Sequence, residues 1–137
     1  MPNLGSLSPQ QAVNADYLGR LTVSDQAVPS VLTCIPFTVS DAATSDIDVV
    51  MTEKFEVVDV VCIKRNGAGA GNTMQIKNAA TVISDAIACA TDNAVTRAAS
   101  IDDASSTIAA GGTLRLTATK AAGTRNAQVF VWGFIRP

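Results

Sequence analysis

Histidine is absent from the 137 residues of this chain, and that absence removes the Ser-His-Asp triad, the Cys-His pair and most zinc sites together. Aromatic residues are scarce: one Trp, one Tyr and four Phe, 4% of the chain. Stacking platforms of the kind that hold sugars therefore have little to be built from. Charge is thin as well. Ten Lys and Arg against twelve Asp and Glu leave a net charge of −2. The cations are scattered singly apart from Lys64-Arg65, so there is no basic stripe and no nucleic-acid partner is expected. No apolar run approaches the roughly 18 residues of a membrane-spanning helix, and no membrane is expected as a partner. The start, Met1-Pro2-Asn3-Leu4-Gly5-Ser6, has neither the cationic nor the apolar segment of a signal peptide. Synthesis and assembly in a cytoplasm are expected.

Cysteine is also sparse. Cys34, Cys62 and Cys89 are an odd, widely spaced set, which does not read as a disulfide scaffold. Each sits in an apolar stretch, so the expectation is buried free thiols acting as small hydrophobes. A thiol nucleophile needs a base or a cationic pocket, and no such cluster is visible.

What the chain does have is Ala, Val and Thr. Hydrophobic residues make up 47% of it, and β-branched side chains fit a pleated, half-buried surface. The length suits one domain. Residues 1–30 stand apart. Pro2, Pro9 and Pro29 interrupt them and no period is sustained, which indicates an extended N-terminal arm. Leu4, Leu7, Val13, Tyr17, Leu18 and Leu21 are too apolar for an idle tail. Leu4, Leu7, Tyr17, Leu18 and Leu21 are the expected interface residues.

From Val31 to Pro137 the pattern is β. Val31–Ile35 reads as a strand that Pro36 confines to an edge or a bend, and Ile47–Met51 as a second. Phe55–Lys64 is apolar on both faces and is expected to be buried on both sides. The Asn66–Asn72 stretch, with Gly67, Gly69 and Gly71, separates two β runs and reads as a flexible hairpin loop. Thr73–Lys77 alternates, with Met74 and Ile76 inward. Short runs follow at 81–83, 86–89 and 95–98, and Asp102–Thr107 is expected to make one helical turn with an acidic start. Leu114, Leu116 and Ala118 face inward. Gln128–Ile135 is apolar on both faces, with Phe130, Trp132 and Phe134 expected in a buried strand. About eight short strands between turn signals predict an all-β fold, a β-sandwich or jelly-roll-like domain over 31–137.

The candidate chemistry is weak. The glycine loop lacks the Gly-Lys-Ser/Thr and following helix of a phosphate-binding loop. The pairs Asp46/Asp48 and Asp102/Asp103 lack the alternating spacing of a calcium loop, and solvated or capping roles are expected. Arg97, Arg115, Arg125 and Arg136 fall mostly on polar faces or in loops, where surface solvation is expected, with ion pairing across an interface as the functional alternative. No catalytic residue, cofactor site or metal site emerges, and an enzyme is not expected.

The order and texture of Phe55–Pro137 resemble a known family. The carrying stretches are Val57-Val58-Asp59-Val60-Val61-Cys62-Ile63-Lys64, Gly67-Ala68-Gly69-Ala70-Gly71-Asn72-Thr73, Gln75-Ile76-Lys77-Asn78 and Ile83-Ser84-Asp85-Ala86-Ile87. They continue through Ile101-Asp102-Asp103-Ala104 and Thr107-Ile108-Ala109-Ala110-Gly111-Gly112-Thr113-Leu114-Arg115-Leu116-Thr117 to Val129-Phe130-Val131-Trp132-Gly133. This is similar to head decoration (cement) proteins, small virion proteins of tailed bacteriophages. The resemblance implies a β-sandwich, commonly a homotrimer, seated on the capsid surface and fastening neighbouring subunits of the major capsid protein, with assembly in the bacterial host cytoplasm. It brings no catalytic residues and does not reach residues 1–30. A carbohydrate- or receptor-binding module of a phage fibre or tail is the alternative, and a hydrolase of the host surface is a weaker third.

Deleting residues 1–30 is expected to leave the sandwich folded, because alternating strands begin only at Val31. The deletion is expected to weaken binding to emptied, undecorated phage heads, measured by co-sedimentation beside a circular-dichroism melt. Unfolding of the truncated chain would assign the arm to the core.

Overall fold

The structure, a computed structural model, describes residues 30–136. Every regular element among them is a strand, as the β-branched composition requires. The expected arm, with Leu4, Leu7, Tyr17, Leu18 and Leu21, lies outside the described residues except for Ser30.

Ten strands follow in chain order: β1 (Val31–Val39), β2 (Ser45–Val50), β3 (Lys54–Lys64), β4 (Thr73–Asn78), β5 (Thr81–Val82), β6 (Ile87–Ala88), β7 (Val95–Arg97), β8 (Thr107–Ile108), β9 (Thr113–Thr119) and β10 (Ala127–Arg136). They form two five-stranded sheets. The first runs β1-β10-β3-β7, with β8 also on β3; the second runs β2-β9-β4-β5, with β6 also on β4. The chain changes sheet six times: between β1 and β2, β2 and β3, β3 and β4, β6 and β7, β8 and β9, and β9 and β10. Neither sheet can be completed by local hairpins alone.

The two sheets pack into a β-sandwich. The first sheet contributes Phe37, Val39, Phe55, Val57, Val60, Cys62, Val129 and Val131 to the core; the second contributes Met74, Ile76, Leu114, Leu116 and Ala118. Full burial of one large apolar side chain is worth about 1.5–3 kcal/mol, so this layer supplies the main driving force. β1 is longer than its sequence suggests and runs through Pro36. It lies at the edge of its sheet, where the missing N–H of proline leaves no ladder bond unmade.

β3 departs from the expected simple alternation. Phe55 and Val57 point into the core, and the next inward residues are Val60, Cys62 and Lys64. The extra residue falls at Val58-Asp59, the signature of a bulge. Asp59 Oδ1 accepts the N–H of Val60 at 2.9 Å, which gives the displaced backbone a partner. Val58 is exposed and Asp59 and Ile63 half-buried, so the strand is not buried on both sides as expected.

Three further expectations change. Residues 66–72 do not close a hairpin, because β3 and β4 belong to different sheets. The Asp102–Thr107 segment makes a hydrogen-bonded turn rather than helix. Ser105 N donates to Asp102 O at 3.0 Å and Ala104 N to Asp102 Oδ1 at 3.0 Å, and Thr107 already belongs to β8. Arg125 is buried rather than solvated. Its guanidinium donates to Ser40 O, Ala43 O, Ser45 Oγ and Ala118 O over 2.7–3.1 Å and so ties the loop before β2 to the second sheet.

On the outer face of that second sheet, Arg115 grips Asp48 through Nε at 2.7 Å and a second nitrogen at 2.8 Å. This bidentate bond holds the Asp48 carboxyl below the usual carboxylate range and pushes the Arg115 guanidinium up. The hydrogen bond from Lys120, then that from the Arg125 backbone N–H, likewise hold Asp41 low. A carboxyl depressed in the folded state stabilises the fold above its unfolded value, and that contribution is lost as pH falls through the folded value. The urea midpoint is therefore expected to be flat from pH 7 to 5 and to fall below about pH 4, the ordinary carboxylate range. Asp48→Asn is expected to blunt that fall in the same titration. An Asp48→Asn curve superposable on the wild-type curve would remove Asp48 from the acid response.

Candidate interaction surface

The outer face of the first sheet is built by strand register. Leu32 pairs with Phe134, Cys34 with Trp132 and Pro36 with Phe130. The alternate pair Phe37–Val129 points into the core, so Leu32, Cys34, Pro36, Phe130, Trp132 and Phe134 share the outward side. Pairing of Val61 with Arg97 and of Ile63 with Val95 extends this face across β3 and β7. Leu32 is 55% exposed, Val58 40%, Val95 63% and Trp132 38%. Leu32, Val58, Asp59, Arg97 and Trp132 line one open depression of about 420 Å³.

Half of the chain's six aromatic residues therefore stand on one outer sheet face. The expectation that Phe130, Trp132 and Phe134 lie in a buried strand fails for Trp132, while Phe130 and Phe134 are half-buried. The reason is steric. β10 offers two apolar faces, and Gly133 decides between them. A Cβ there would meet the carbonyl oxygen of Glu56 and the Phe55 ring. The face with Val129, Val131 and Gly133 thus fits over Phe55, and the aromatic face is left outside. That glycine, in line with two valines, was the sequence signal available for choosing the face.

The charge on this surface includes an ion pair between Arg97 and Asp59, with side chains 65% and 34% exposed. An exposed pair of this kind contributes at most about 1 kcal/mol to stability. It does place a hydrogen-bonding group of each sign beside the Trp132 ring.

The other sequence candidates are structural. Asp46 and Asp48 do share a strand face, where Asp46 accepts Thr117 Oγ1 at 2.7 Å and Asp48 pairs with Arg115. Asp102 caps the turn before β8 and accepts Ser105 Oγ at 3.1 Å. Among the described residues no three His, Cys, Asp or Glu side chains gather as a metal site.

A second, buried cluster was not expected. Lys64 and Asn72 are each 1% exposed. Lys64 Nζ donates to Arg65 O, to Gly67 O and to Thr124 Oγ1, three acceptors for the three protons of an ammonium. Asn72 donates to Thr124 O at 2.6 Å and accepts the N–H groups of Ala121 and Ala122 at 2.7 and 3.1 Å. Gly69 leaves room for the Asn72 amide, which a Cβ at that position would strike. The glycine loop, expected to be a flexible tip, is therefore fastened to the β9–β10 connection by side-chain bonds. Lys64 also lies beside Cys62 and Cys89, which are 1% and 2% exposed, while Cys34 is only half-buried.

The chain matches no family model and no curated protein.

Lys64→Met keeps the length of the side chain and removes its donors. Leaving buried acceptors unpaired costs about 1–3 kcal/mol, so the urea midpoint is expected to fall by a corresponding amount. An unchanged midpoint would show that the loop is held without Lys64.

Proposed function

We propose that this chain is a structural protein of a tailed-bacteriophage virion, a capsid decoration (cement) protein that works as a homotrimer on the major capsid protein. The virion class rests on the resemblance of Phe55–Pro137. The observation that carries the assembly role is the apolar outer face of the first sheet, with Leu32, Val58, Val95 and Trp132 exposed on it. Contiguous apolar patches on a small domain mark interaction sites. The cores of protein interfaces are enriched in aromatic residues, as this face is, and its Arg97–Asp59 pair neutralises its own charge. Fastening a shell needs contact area and multivalency rather than chemistry, and the residues with candidate chemistry are engaged in structural bonds.

One observation favours the alternative of a carbohydrate- or receptor-binding module. An exposed indole stands beside Arg97 and Asp59, and a ring flanked by hydrogen-bonding groups is how a sugar face is held. The wider surface around it, Leu32, Val58 and Val95, is aliphatic, which suits a protein partner better.

Trp132→Ala and Val58→Lys test the reading. Both side chains point away from the core, so thermal stability is expected to change little. Each substitution is expected to weaken binding to emptied heads at least about 30-fold, the loss typical of an interface hot spot of about 2 kcal/mol. Each is also expected to lower the light-scattering mass at micromolar concentration from three times the 14.1 kDa of one chain toward one. Wild-type binding and mass in both variants would overturn the proposal. Loss of binding to an immobilised host glycan, with head binding intact, would favour the alternative.

A further inference from the structure

We infer that Cys62 and Cys89 are a redox pair, which a small peroxide closes into a disulfide joining the two sheets of the sandwich. Cys62 lies on β3 in the first sheet, and Cys89 directly follows β6 in the second. Their sulfurs are 2.7 Å apart. The two thiols are therefore in direct contact across the core, with no other side chain between them. Backbone bonding holds Cys89 in place: its N–H donates to Asn72 O at 2.9 Å, and Asn72 is itself fixed by the bonds to Thr124, Ala121 and Ala122. Cys62 is fixed by its strand.

Either thiol can donate to the other, and the positive charge of Lys64 favours the anion at both. With Cys89 as the nucleophile and Cys62 as the resolving thiol, the chemistry runs in two steps. In the first step the Cys89 thiolate attacks one oxygen of hydrogen peroxide. The O–O bond breaks, hydroxide leaves, and Cys89 becomes a sulfenic acid. In the second step the Cys62 sulfur attacks the sulfenic sulfur, the S–O bond breaks, and the departing oxygen leaves as water with the Cys62 proton. The two sulfurs lose two electrons in total and the peroxide gains them. Burial of both thiols selects an oxidant of nearly the size of water over a bulky disulfide.

Closure would cross-link positions 27 residues apart in sequence and tie the sheets across the core. Cys34 is on the outer face opposite Trp132 and stays free.

The test uses the full native chain, purified reduced and freed of reductant, exposed to a few equivalents of hydrogen peroxide and quenched with catalase. It is then unfolded in guanidinium with N-ethylmaleimide and mapped by peptide mass spectrometry without reduction. The expected map has one maleimide, on Cys34, and a covalently linked pair of peptides carrying Cys62 and Cys89, lighter by two hydrogens than the separate peptides. The oxidised protein is expected to melt roughly 5–15 °C higher, as a cross-link of this span predicts, and dithiothreitol is expected to reverse both changes. Maleimide on all three cysteines after peroxide would overturn the inference. So would separate sulfinic acids on Cys62 and Cys89, or a link that includes Cys34. The wild-type map decides the matter, so it does not depend on a variant folding.

Discussion

The seat of the Phe55 ring against Gly133 is the constraint from which much of this molecule follows. Phe55 is fully buried, and no side chain larger than hydrogen fits opposite it on β10. That fixes which face of β10 turns inward. Once Val129 and Val131 are in the core, Phe130, Trp132 and Phe134 face out, and β1 must align Leu32, Cys34 and Pro36 with them. A side-chain period of two leaves no intermediate arrangement. The packing of one ring thus produces the surface on which the proposed assembly role rests.

The bulge in β3 serves the same end. Without the additional residue at Val58-Asp59, the strand's alternation would put Cys62 and Lys64 outside and Val61 and Ile63 inside. With it, Cys62 reaches the interior facing Cys89, and Lys64 reaches the oxygens of the glycine loop. Asp59 is displaced outward to meet Arg97 at the edge of the Trp132 depression. One local irregularity therefore supplies a core thiol pair, a buried amine that anchors a loop, and the polar margin of the exposed face. Bulges next to functional surfaces commonly re-aim side chains in this way.

The two faces of the sandwich differ in character. The second sheet presents Asp46, Asp48, Arg115 and Thr117 in a network of bonds on its outer side, with Val50 and Val82 also exposed on its strands. The first sheet presents aliphatic and aromatic groups. The first sheet's outer face carries the aromatic groups and the larger share of the exposed apolar side chains, which makes it the face better suited to being covered by a partner.

The strands rich in β-branched residues were legible from sequence, because alternation over Thr73–Lys77 and over Leu114, Leu116 and Ala118 leaves one choice of inward face. So was the all-β class, and so was Pro36 as an edge marker, since a residue without an N–H cannot sit in a central strand. Where the sequence was apolar on both faces, in β3 and β10, alternation alone did not choose the side the core would take, although Gly133 marks the inward face of β10. That choice depends on what the opposing residue is, and Phe55 and Gly133 are 78 positions apart in the chain. The anchoring of the glycine loop is invisible in the local pattern for the same reason: it comes from Lys64, Asn72 and Thr124, and Thr124 enters from the β9–β10 connection. Sequence alone determined the class of secondary structure, because that rests on backbone preference and nearest-neighbour alternation. Only the tertiary structure decided which apolar face is buried, which is exposed, and which thiols meet, because those are set by packing between residues that are distant in the chain.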